Sequence, residues 1–235
     1  MDVGQVWQRV QPVGEVSLSG RPLLVVLVAA LVAVGVGPVW SVLRLGVTLV
    51  HELGHAVVGM LCGRRFTGFV LRGDMSGHAV TVGPARGPGR VATTWAGYPA
   101  PAVVGAALAW LAVRGWAAPV LAAVLVVLLV ALVRSRSALT LLVVLVVGAL
   151  TAWLWWSGAT RVQAQVLVGV GLVLVVGAWR HLAAVAGARD PGTSDPAVLA
   201  RLTRVPRVLW LLSFVLVLGV STWVLAGTVV PALRT

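Results

Sequence analysis

The 235-residue chain contains one cysteine, four histidines, six acidic residues and no lysine. A lone Cys62 excludes an internal disulfide, and with no second cysteine to complete a metal site it reads as a small packing residue. The shortage of acid leaves a net charge of +12, and all 18 basic residues are arginine. Such an excess can serve nucleic acid, but here the arginines stand between apolar runs instead of clustering on one soluble face. That distribution orients helices in a bilayer and predicts no nucleic-acid partner. The start of the chain lacks the compact charged region of a signal peptide, so residues 1–21 read as a retained cytoplasmic segment. No internal repeat is present. The Arg-only, Val/Ala/Gly-heavy composition points to a GC-rich bacterial genome, and so to the bacterial cytoplasmic membrane.

Hydrophobic residues make up 60% of the chain and the mean hydropathy is +1.02, values of a polytopic membrane protein. The expected fold is all-α, with about six or seven transmembrane helices in a single integral-membrane domain over 22–230. Seven apolar stretches carry it: 22–37, 39–62, 91–113, 117–133, 138–156, 162–180 and 207–230. Gly35-Val36-Gly37-Pro38 predicts a tight turn between the first two. With the N-terminus inside, fourteen arginines fall in cytoplasmic segments and three, Arg114, Arg161 and Arg234, outside. Trp110, Trp116, Trp153, Trp155 and Trp156 fall at outer span ends, where indole rings anchor at the interface. Two connections are long enough to hold structure. Residues 66–82 predict a small membrane-associated β-hairpin around the turn Gly73-Asp74-Met75-Ser76-Gly77. Residues 190–206 predict a short helix from Pro196, capped by Ser194 or Asp195.

The chemistry concentrates at His51-Glu52-Leu53-Gly54-His55, inside the apolar stretch 39–62. On a helix, residues four apart share a face, so His51 and His55 can grip one metal ion. Glu52 is placed to take a proton from water activated there. An ionisable side chain in mid-span costs about 2.5–3.5 kcal/mol on insertion scales, and three in five residues need a compensating gain that a metal supplies. Four histidines are too few for a membrane di-iron enzyme, and no serine has the setting of a rhomboid-type nucleophile. A zinc transporter would carry further His/Asp pairs on other spans. Catalytic zinc takes three protein ligands, so a third must reach the same depth, roughly 10–16 Å from the cytoplasmic end of the second span. That leaves Asp74, His78, His181, Asp190 and Asp195, of which Asp195 is best placed, at the head of a segment able to pack beside the motif helix. Arg44, a charge within the same stretch, has no assigned partner.

The motif in an apolar helix, followed by a distant aspartate, resembles the site-2 protease family of intramembrane zinc metallopeptidases, in particular its short bacterial branch without a PDZ domain. Ser194-Asp195 matches that branch's Ser-Asp motif, where the larger enzymes carry Asp-Gly, and the resemblance implies Asp195 as third ligand. The hairpin region is similar to the β segment that follows the motif helix there. Gly97-Tyr98-Pro99-Ala100-Pro101 fits the family's Gly-x-x-x-(Asn/Ser/Pro/Gly) pattern, implying Gly97 and Pro101 along the substrate path. The resemblance implies one Zn2+ per chain, Glu52 as catalytic base, and a transmembrane protein as substrate, cleaved within the bilayer from a site opening to the cytoplasm. The alternative function is a metal-binding scaffold or transporter without proteolysis.

Overall fold

Long runs of Val, Leu and Ala in a bilayer must bond their own backbone groups, and each run closes a helical ladder. The computed structural model describes residues 4, 7, 9–18, 20–74, 76–189 and 192–234. In chain order, α1 is Arg21–Gly35, α2 Gly37–Leu61, β1 Arg65–Leu71, β2 Gly77–Val82, α3 Pro88–Trp95 and α4 Pro99–Leu111. A π-helical turn at Ala112–Trp116 leads to α5 Ala117–Val133, α6 Ala138–Ser157, α7 Thr160–Gly187, α8 Asp195–Thr203 and α9 Arg207–Arg234. Among the described residues, five stretches are long and apolar enough to span a membrane: Gly37–Leu61, Pro99–Val133, Ala138–Ser157, Thr160–Gly187 and Arg207–Leu233; Arg21–Gly35 is a shorter apolar helix. The protein is thus an all-α membrane protein with one small antiparallel hairpin.

One expected helix is divided, and the expected break after 113 is present. The stretch 91–113 is α3 and α4, separated at Ala96-Gly97-Tyr98. Pro99 and Pro101 lack the N–H groups that would bond Trp95 and Gly97, so the ladder lapses there. Pro99–Val133 is broken at Gly115, whose φ of 83° is open to glycine at little cost. The core is a seam of small residues: a Cβ on Gly105 of α4 would fall 2.6 Å from the Gly171 carbonyl of α7.

The bundle has two distinct ends. At one, β1 docks on the α5–α6 junction: Phe69 N–H donates to Arg134 C=O and Arg136 N–H to Phe69 C=O, both at 3.1 Å. Leu71 N–H donates to Thr140 Oγ1 at 2.7 Å. A cavity of about 780 Å³ opens here, lined by residues from α2, β2, α3, α7 and α8. At the far end, Val13 N–H donates to Gly115 C=O and Val16 N–H to Val113 C=O. Arg9 reaches Trp156 C=O at 2.6 Å and lies over its ring.

The N-terminal segment packs against Val113, Gly115, Trp155 and Trp156, residues that the expected crossings set on the outer side. The N-terminal segment and the cavity lie at opposite ends, not on one side. Helix α1 starts at the far end and finishes where Arg180 bonds Val34 C=O. Helix α2 has Trp40 edge-on to His181 at 6.1 Å near its start, lines the cavity as far as His55, and ends with Cys62 against Gly89. Arg9, Arg21, Arg114, Arg161 and Arg234 belong to the far end, and twelve arginines to the cavity end. Arg9 and Arg21 thus group with the three arginines expected outside.

Candidate metal centre

Helix α2 presents His51 and His55 on one face, and α8 opens at Asp195 with Pro196 behind it. The Asp195 carboxylate is turned to the imidazoles: Oδ2 lies 3.3 Å from His51 Nε2 and 3.2 Å from His55 Nε2, and the two nitrogens are 3.1 Å apart. Tetrahedral zinc with bonds of about 2.0–2.1 Å needs donors about 3.3–3.4 Å apart, so this triangle has the dimensions of one face of such a site. Two nitrogens and one oxygen are also the donors zinc accepts. His55 Nδ1 lies 2.7 Å from Thr93 C=O, which fixes the ring and leaves Nε2 for the cluster. His51 is held edge-on by Tyr98 at 5.0 Å, and Tyr98 stacks on Phe214 at 5.2 Å. Burial alone would raise the carboxyl pKa of Asp195, but the imidazoles beside it, His55 foremost, hold it below the usual carboxylate range.

Glu52 is buried beside the triangle, and its Oε2 has no protein partner. A buried carboxylate oxygen left open needs an explanation, and a water or substrate group held at the cluster supplies one. Its other oxygen lies under Gly77 of β2: a Cβ there would fall 2.5 Å from Oε1. Gly97 approaches as closely from the other side, where a Cβ would lie 2.4 Å from His55 Nε2 and 2.6 Å from His51 Nε2. The motif's own Gly54 rests on Ala96 and Ala100. Glycines on both backbones thus let the α3–α4 break press against the motif helix.

The other expected candidates lie apart from the triangle. Asp74 accepts from Ser76 N–H and Oγ–H in the exposed hairpin turn. His78 lines the cavity from β2, and His181 lines it from α7 beside Trp40. Asp190 falls outside the described residues. Pro101 is buried in the first turn of α4 and does not line the cavity. Thr93, Tyr98 and Gly77, which seat the imidazoles and Glu52, carry no local sequence signal beyond their place near a turn or proline.

The two edges of the hairpin are not alike. Phe69 and Leu71 spend their outward N–H and C=O groups on residues 134–140. Their partners Ala79 and Gly77 are therefore non-hydrogen-bonded pairs, with backbone groups turned away from β1. Gly77, Ala79 and Thr81 line the cavity, so the open edge is that of β2.

Apolar helices around a half-buried three-donor cluster define a membrane protein able to hold a metal ion. The profile of the Peptidase M50B-like family matches residues 24–225, and the chain belongs to this family, membrane metallopeptidases of the site-2 protease type. No curated protein and no solved structure matches the chain.

Proposed function

We propose that the protein is an active intramembrane zinc endopeptidase that cleaves transmembrane segments of other membrane proteins, as in regulated intramembrane proteolysis. The observation that carries this reading is the His51–His55–Asp195 triangle with the open oxygen of Glu52 beside it. His51, His55 and Asp195 would hold one Zn2+, which when bound lowers the pKa of water toward neutrality and polarises the scissile carbonyl. Glu52 takes the proton from the attacking water and returns it to the leaving amine. Its burial keeps this carboxylate out of bulk solvent, and the cavity admits the water that hydrolysis consumes. Buried helical peptide bonds are shielded, so the substrate must unwind locally. The open edge of β2 offers Gly77 and Ala79 backbone groups to an extended peptide, next to Glu52. The excess of arginine at the cavity end supports a site opening to the cytoplasm, which puts residues 9–18 on the outer side. The open oxygen of buried Glu52 favours hydrolysis over a scaffold or transporter, since a purely structural carboxylate would be expected to have its oxygens hydrogen-bonded.

Zinc content and cleavage of a model transmembrane substrate, measured together, test the assignment. Wild type should carry one zinc per chain, H51A none and D195A much less. E52Q should keep zinc while cleavage falls by about 10²-fold or more. Cleavage retained by E52Q would refute the mechanism, and zinc retained in full by D195A would refute the third ligand.

A further inference from the structure

The cluster makes no use of Arg44. This residue stands on the face of α2 that carries Thr48, His51 and His55, at helical spacings of four, seven and eleven, and it lines the same cavity. Arg72, Arg90 and Arg180 line it as well. The carboxylates in that lining are Glu52 and Asp195, and a divalent ion at the cluster balances their two charges. Arg72 lies within electrostatic range of Asp74, and Arg44, Arg90 and Arg180 are then left around the cavity without a carboxylate partner. Among the described residues, the ion pairs are those of Asp195 with the two histidines, so none of these arginines is paired with a protein carboxylate. Arg180 is partly engaged, bonding Val34 C=O and covering the Trp40 ring. His181 is within electrostatic range of Arg44, Arg180 and His51, and its buried Nε2 has no protein partner. A cation in an apolar helix, facing a polar cavity, is expected to meet an anion there.

We propose that Arg44, with His181, binds a carboxylate of the substrate, so that the site prefers segments with an acidic side chain or a free C-terminus near the cleaved bond. The guanidinium offers a planar pair of donors that matches a carboxylate, and a neutral imidazole can add one more. The proposal rests on the peptidase reading of the same cavity and deepens it by naming the substrate class.

The test is a binding measurement on the zinc-loaded full chain carrying E52Q. Three fluorescein-labelled apolar peptides of otherwise identical sequence serve as probes: a carboxamide with a central glutamine, a carboxamide with a central glutamate, and the glutamine peptide with a free C-terminus. We expect at least one carboxylate peptide to bind about tenfold tighter than the neutral one. Which of the two does so identifies the source of the carboxylate. In R44Q the ratio of affinities should fall close to one, and R44K should retain part of it. The readout is a ratio on each protein, so a general loss of affinity cancels. Equal binding of all three peptides, or a preference that survives R44Q, overturns the proposal. So does a preference lost on chelating zinc, which would put the carboxylate on the metal. None of these measurements needs hydrolysis, so a wild type that cleaves nothing would sink the peptidase reading separately.

Discussion

Gly97 occupies a position where even one methyl group has no room. Alanine there would put a carbon within 2.4–2.6 Å of both imidazole Nε2 atoms, so the backbone of 96–98 or the imidazoles would have to move. G97A is expected to weaken zinc binding by at least about tenfold, read by competition with a chelator, because ligand geometry and its support set affinity. Affinity equal to wild type would show that the α3–α4 break does not bear on the centre. His51, Glu52 and His55 were legible because a four-residue spacing on a helix is a local property. Asp195 was legible only among several candidates, since its approach to α2 depends on how α7 returns the chain over some 140 positions. The roles of Thr93, Tyr98, Gly77 and Gly97 as supports were hidden, because close approach between two backbones is created by tertiary packing.

At the scale of elements, the hairpin has one working edge. Proline at Ala79 removes an N–H directed away from β1, so the hairpin ladder keeps its own bonds. A79P should therefore retain zinc while cleavage of a transmembrane substrate falls several-fold, with the loss in KM exceeding that in kcat. Unchanged kinetics would mean that the substrate does not pair with β2. The hairpin itself was readable from two β-prone runs around a turn. Its covered edge was not, since Arg134, Arg136 and Thr140 come from a distant junction. The break in 91–113 was signalled by Pro99 and Pro101, but a continuous apolar pattern concealed it. The apolar runs themselves fixed nearly every helix, because backbone bonding in a bilayer leaves few alternatives.

For the whole molecule, the packing sets the N-terminal segment at the end opposite the cavity, and the arginine excess then predicts which faces the cytoplasm. In a Cys62→Ser background, cysteine at Gln11 should react with a membrane-impermeant maleimide applied to intact cells. Cysteine at Ala85, exposed between β2 and α3, should react only after permeabilisation. The opposite pattern would put the cavity outside. Counting charge between apolar runs gave a strong bias, but it could not show that residues 9–18 pack on Val113 and Gly115, a contact made only in the folded bundle.

The docking of residues 9–18 also bears on the order of biogenesis. Their partners are Val113 and Gly115, then Trp155 and Trp156. Residues 9–18 are made before all of these partners, so the segment must wait until residues 113–156 have been made before it can settle.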